Sequence, residues 1–286
     1  MTHDLAELPT PSPSRRAVTV IDHAGNSLFQ KLAEYRGYQT LFVFLALRDI
    51  TLRYRQTILG VAWAILQPLL PMAIFTAAFS RVLRPSTGGI PYWLFVLSGM
   101  APWAFFSGAI NQSGNAFVNS QNLLNKVYFP RAILPAAAVA AYSLDFFVTG
   151  TGLLAVTWAR GYPPHLAWLL LPLIACVTGG VAISVGLALA SLMALYRDVK
   201  HILPFLIQLW LFATPIMYPV SLLPRPLQQI AGINPMAGVL EALRSCLFGT
   251  PPDWKLLALS GLSFVAIASA ALTLFHRLEA DLAERV

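Results

Sequence analysis

Apolar residues in this chain neither alternate with period two nor keep to one stripe of a helix; they come in long, nearly unbroken runs. Runs at about 58–82, 91–113, 132–158, 167–195 and 255–275 each satisfy the roughly 20 residues that a helix needs to cross about 30 Å of hydrocarbon. A sixth run, about 203–220, is shorter and interrupted by Pro215, yet LPFLIQLWLFATPIMYPV carries no charge. The pattern predicts an all-α polytopic membrane protein with six transmembrane helices. Trp63, Tyr92, Trp93, Trp158, Trp168, Tyr218 and Trp254 lie near the predicted span ends, where amphipathic rings favour the headgroup level. Trp103 and Trp210 fall inside spans, and that preference does not explain them.

Two stretches break the pattern. Residues 1–26 have no apolar segment of the signal-peptide kind, and TPSPSRR reads as a disordered cytoplasmic tail. From Ser27 onward, Leu28, Leu32 and Tyr35 share a helical face from which Lys31 and Glu34 are turned away. LFVFLAL at 41–47 is too short to cross, so residues 27–57 are predicted as amphipathic helices lying in the interface, apolar side down. The second stretch, LQQIAGINPMAGVLEALRSCLF at 227–248, tempts a seventh span but contains Asn234-Pro235, Gly238, Glu241 and Arg244. A charge at the bilayer centre costs at least about 2.5–3.5 kcal/mol, and Asn-Pro favours a turn. The expectation over 221–254 is two short helices dipping back from the external face, a re-entrant hairpin between spans five and six. Irregular backbone at that depth must be buried in protein or line a cavity, which places the hairpin at a pathway mouth.

Composition narrows the class. Apolar residues make up 57% of the chain and charged residues 11%, against about 25% charged in soluble domains. The formal charge of +7 could signal a nucleic-acid partner, but the distribution of basic residues argues otherwise. With six spans, 13 of the 19 basic residues fall on one side, and the positive-inside rule makes that side, with both termini, cytoplasmic. No nucleic acid is expected.

The missing motifs matter as much. None of the four lysines follows a glycine, so there is no phosphate-binding Walker loop. HExxH, CxxC, GxSxG and paired DxD carboxylates are absent, and Cys176 and Cys246 lack metal-ligand spacing. No catalytic residue, no metal and no cofactor of this chain's own is expected. A membrane-embedded glycosyltransferase or polymerase would need carboxylates near the membrane, and only Asp198, Glu241 and Asp253 lie there, far apart in sequence. A proton-coupled transporter would want more intramembrane ionisable groups than Asp145 and visible inverted repeats.

Three features carry candidate chemistry. Asp145, in AAYSLDFFVTG within span three, reads either as a packing acid bonded to a neighbouring span or as a substrate or proton site. The loop at 115–131, NAFVNSQNLLNKVYFPR, reads either as an amphipathic helix on lipid or as an apolar knob for a groove on a soluble partner. Arg48, Arg53 and Arg55 in RDITLRYRQTILGVAWAILQPLLP stand directly before span one.

LRDITLRYRQTILGVAWAILQPLLPM and PYWLFVLSGMAPWAFFSGAINQSGNAFVNSQNLLNKVYFPRAILP together resemble the permease subunits of type-2 ABC transporters that export polysaccharides. O-antigen and teichoic acid exporters are the nearest of these, and capsule exporters, whose corresponding loop lacks KVYFPR, are more distant. The resemblance covers roughly Arg48 to the end of span six, and it makes residues 58–286 the six-span transmembrane domain. It implies a homodimer in the bacterial inner membrane, with a channel for a lipid-linked glycan. It also implies two separate nucleotide-binding ATPase subunits, which would hold ATP and Mg. By the same resemblance, Asn122, Leu123, Lys126, Val127, Tyr128, Phe129 and Arg131 belong to a coupling helix that contacts the ATPase. The 221–250 segment corresponds to external gate helices, which makes Asn234, Pro235, Glu241 and Arg244 gate residues. For a polyprenyl-diphosphate carrier, Arg48, Arg53 and Arg55 would include the guanidinium groups that meet the diphosphate at the entrance. The competing reading of those arginines is plain anchoring to anionic lipid. The alternative within transport is a type-2 ABC exporter of a drug or another lipid.

Overall fold

The computed structural model describes residues 37–55, 57–58, 60–82, 87–124, 126, 129–196 and 198–285. The expected tail at 1–26 and the first part of the 27–57 segment lie outside the described residues. From Tyr38 onward the chain forms one compact unit.

The long apolar runs become helices because a backbone in lipid must satisfy its own hydrogen bonds. In order these are α1 (Gln39–Tyr54), α2 (Ala62–Val82), α3 (Tyr92–Gly114), α4 (Ala116–Asn119), α5 (Gln121–Leu124) and α6 (Ile133–Ala159). There follow a 3₁₀ turn at Leu166–Leu170, α7 (Leu171–Leu195), α8 (Val199–Ala213), α9 (Arg225–Ile233), α10 (Pro235–Phe248) and α11 (Trp254–Arg285). Among the described residues five helical segments are long and apolar enough to cross a membrane: Ala62–Ser80, Tyr92–Gly114, Ile133–Ala159, Leu166–Leu195 and Trp254–Leu278. The chain is thus an all-α polytopic membrane protein.

α3 is the axis of the bundle. Its most apolar stretch is 78% buried, whereas those of the other four long segments are 11–22% buried. Leu94, Val96, Phe106, Ala109 and Ile110 are almost fully enclosed, as a helix apolar on every side requires. α2, α6, α7 and α10 pack around it. Close approach depends on small residues: a Cβ on Gly186 of α7 would lie 2.2 Å from the Ser113 hydroxyl of α3.

α8 differs from these five segments. Its 15 residues reach only about 22 Å at 1.5 Å per residue, short of the hydrocarbon thickness. The helix stops at Ala213 and the backbone from Thr214 to Met217 is irregular and buried. The sequence pattern extends span five to about residue 220; the helix instead ends at the residue before Thr214-Pro215, because the residue preceding a proline avoids the helical conformation.

Candidate functional site

At the elbow between α1 and α2, two tethers fall on one helix. Arg53 and Tyr54 close α1, and both reach Asp145 of α6: Arg53 Nη1 donates to Asp145 Oδ2 at 2.8 Å, and the Tyr54 hydroxyl donates to Oδ1. The Arg53 guanidinium carbon also sits 3.3 Å from the centroid of the Tyr142 ring, one turn earlier on α6. That ring is seated against α3 at Gly108, where a Cβ would come within 2.2 Å of it. Burial first, then the hydrogen bond to Asp145 and its charge, push the Tyr54 hydroxyl up to about 12.

The second tether is one turn further along α6. Thr149 Oγ1 donates to the Ala64 carbonyl at 2.9 Å. In a regular helix that carbonyl would accept from residue 68, but residue 68 is a proline inside α2 and has no N–H. Thr149 supplies the missing donor. Gln67-Pro68 thus gains its meaning from a residue 81 positions further on. Between the tethers the chain makes a short excursion in which Arg55, Thr57 and Ile58 are exposed, Ile58 fully. It turns back at Gly60, whose φ of +50° favours glycine.

Among Arg48, Arg53 and Arg55 the partners are distributed unequally. Arg53 is committed to Asp145 and Tyr142. Arg48 donates to the neighbouring Asp49 through Nε at 3.0 Å and Nη2 at 2.8 Å. This pair lines a cavity of about 420 Å³ together with Gln112, Asn119 and Ser120. Arg55 is exposed, and among the described residues no side chain pairs with it. α1 packs along α6. Leu45 packs in one cluster with Ile133, Leu134 and Ala137, and Arg53 meets Asp145 further along.

In the segment 115–131 two aromatic rings turn inward. Phe117 and Phe129 are buried, at 1% and 4% exposure, in a cluster with Leu45, Leu187 and Phe275; Leu123 and Leu124 pack on its edge. The exposed groups are Asn119, Gln121, Asn122 and Lys126. An aromatic ring in such a cluster gains more from burial than from projecting into solvent. Phe129 is therefore an anchor of the segment, not its tip. Arg131 is half-buried, and Val127 and Tyr128 lie outside the described residues.

The hairpin residues converge on the broken end of α8. Arg244 of α10 donates through Nη1 to the Pro215 carbonyl and through Nη2 to the Ile216 carbonyl, both at 2.9 Å. Longer contacts of 3.4 Å join Nε to Ser98 Oγ and Nη2 to the Phe95 carbonyl of α3. The guanidinium carbon lies 3.6 Å from the centroid of the Phe95 ring. The next carbonyl, of Met217, accepts from the Tyr92 hydroxyl at 3.0 Å. Three successive carbonyls left without helical donors are thus satisfied from neighbouring elements, as burial demands.

Asn234 completes the arrangement. Its Oδ1 accepts from the Met236 amide at the start of α10 and from Trp210 Nε1, both at 3.0 Å, and its Nδ2 donates to Thr214 Oγ1 at 2.8 Å. Trp210, which aromatic belts left unexplained, is here a donor to the hairpin. Pro235 opens α10 at a position that needs no amide donor. Glu241 Oε1 accepts from the Asp253 amide at 3.2 Å, joining the hairpin to the start of α11.

Comparison with known proteins places this architecture. A family described as ABC-2 type transporter matches residues 40–248. The O-antigen export system permease protein RfbA of Myxococcus xanthus is 29% identical over 91% of this chain and 99% of its own length. The protein of the same name from Klebsiella pneumoniae is 27% identical over 85% of this chain and 94% of its length. The polysialic acid transport protein KpsM of Escherichia coli is 26% identical over 71% of this chain and 79% of its length.

Proposed function

The chain belongs to the ABC-2 type transporter family, and from that premise we propose the following division of labour among its residues. It is the permease subunit of an ABC exporter of polysaccharide, a multi-pass protein of a bacterial membrane. The observation that carries this reading is the near full-length match to O-antigen export permeases, on a chain whose apolar helices form a transmembrane bundle.

The finer assignment is part of the same proposal. α8 with the irregular segment after it makes the sixth crossing, which places both termini on the cytoplasmic side of the inner membrane. Two copies form the pathway, and a separate ATPase subunit docks on each, holding ATP and Mg. The ATPase meets the 115–131 segment at the exposed Asn122 and Lys126, with Tyr128 and Arg131 as further contacts of the coupling-helix reading, while Phe129 holds the segment to the bundle. The cargo is an O-antigen-like glycan on a polyprenyl diphosphate. At the entrance Arg55 is the guanidinium left free to meet the diphosphate, because Arg53 and Arg48 already face carboxylates. The α9–α10 hairpin closes the external mouth.

The test is co-purification of the full-length permease with its candidate ATPase subunits, followed by mass spectrometry of the bound lipid. A stable complex carrying a diphosphate-linked glycan is expected. A complex holding only phospholipid, from cells that make the glycan, would overturn the cargo assignment.

A further inference from the structure

Asp145 is the one carboxylate among the described residues of the long apolar helices from α2 to α7. Its placement favours the packing reading of the two that the sequence leaves open. Both carboxylate oxygens are occupied, Oδ2 by Arg53 and Oδ1 by Tyr54, and the side chain is 10% exposed. Each carboxylate oxygen thus already accepts from a donor of its own chain, which engages the acid in packing α1 onto α6. The acid is a tether. Thr149 provides another, one turn later, to the start of α2. The ends of the intervening excursion are therefore fixed at points four residues apart on α6, about 6 Å along its axis.

We propose that Asp145 and Thr149 are positioning residues: together they make α6 the template that fixes the turn from α1 into α2 and so holds Arg55 exposed at the end of α1. The proposal rests on the entrance reading of Arg55. Three observations support it independently of that reading. The guanidinium of Arg53 is held by both a carboxylate and the Tyr142 ring, so its direction is set. The Tyr142 ring is itself seated on α3 at Gly108. The Thr149 bond answers a backbone acceptor that Pro68 leaves without a donor, so it has no equivalent partner elsewhere. Arg53 consequently works through position and not through contact with cargo.

The experiment uses the full-length permease co-expressed with its ATPase subunits, in opened membranes so that both faces are accessible. Ile58→Cys, on a background of Cys176→Ala and Cys246→Ala, reports the loop through its rate of modification by a fluorescent maleimide. Asp145→Asn and Thr149→Val should each shift that rate. Each should also lower export per assembled complex, about 10- to 100-fold for Asp145→Asn, since an ångström of misplacement can cost that much. The exchange Arg53→Asp with Asp145→Arg should restore most of both, which a purely local packing defect would not do. An unchanged rate at position 58 in inserted Asp145→Asn protein would overturn the proposal. Should that variant fail to insert, Asp145→Glu and Thr149→Val are judged by the same rate. A shifted rate with export at the wild-type level would uphold the positioning role and remove the entrance reading of Arg55.

Discussion

Arg53 and Arg244 are both drawn against the helical bundle, and they are held in opposite ways. Arg53 meets intact helices, whose carbonyls are already engaged by their own amides. Its acceptor is a side-chain carboxylate, Asp145, with an aromatic face beneath it. Arg244 meets a place where a helix has stopped. There the carbonyls of Pro215 and Ile216 point into the bundle without donors, and the guanidinium fork takes both. Among the described residues no carboxylate forms an ion pair with it. The comparison teaches that a buried cation needs acceptors rather than an opposite charge. A broken backbone supplies them as well as an acid does, and only guanidinium has a fork wide enough to serve several at once.

The difference can be broken by mutation. The largest effect is expected at Arg244→Met, which leaves two buried carbonyls without donors at about 1–3 kcal/mol each. The variant should lose most of its folded fraction in thermal size-exclusion measurements, and Arg244→Lys, with one compact ammonium, should recover only part. No single second substitution should rescue it, because the acceptors are main chain. Survival of Arg244→Met at the wild-type transition temperature would mean that the clamp contributes nothing.

The elbow should behave otherwise. Asp145→Leu alone strands Arg53 and should cost about 3 kcal/mol, the low end for one partner of a buried pair. Replacing both, as Arg53→Met with Asp145→Leu, should bring stability back to within about 1 kcal/mol of wild type, since well-packed apolar pairs often substitute for buried ions. Export should stay impaired in that double variant. Equal damage from the single and double changes would show that the pair is not the unit.

A smaller loss, about 1–2 kcal/mol, is expected for Asn234→Ala, which removes a helix cap together with the bonds to Trp210 and Thr214. Tryptophan fluorescence offers a local check, because Trp210 Nε1 loses its acceptor. The smallest effect concerns pH. The Tyr54 hydroxyl is raised from 10.0 to about 12, so the neutral phenol is favoured in the folded chain. Its contribution is fully present below pH 10 and lost as pH rises toward 12. Stability differences between wild type and Tyr54→Phe should therefore be flat from neutral pH to about 9, checked by thermal melts across that range.

Much was legible before the fold was known, because lipid is a severe solvent. Long uncharged runs have one outcome in it, and a segment with Asn234-Pro235, Glu241 and Arg244 cannot cross it unaided. Other features could be seen but not interpreted. Asp145 stood out as an acid within a span, yet its partner lies 92 positions away. Gln67-Pro68 stood out too, but nothing in the neighbouring sequence names Thr149 as the donor. The apolar residues of 115–131 are as consistent with an outward knob as with an inward anchor. A helix of four residues, α5, has too little length to set a face by periodicity.

The sequence by itself determined the solvent, the helical class and the places where charge or proline must be accommodated, because these follow from local composition and backbone chemistry. Only the tertiary structure decided which distant group meets each unsatisfied one: Asp145 for Arg53, Thr149 for the carbonyl that Pro68 leaves open, Arg244 for the broken end of α8. The reason is that hydrogen-bond valence is a local property of the chain, whereas its satisfaction depends on which helices pack together.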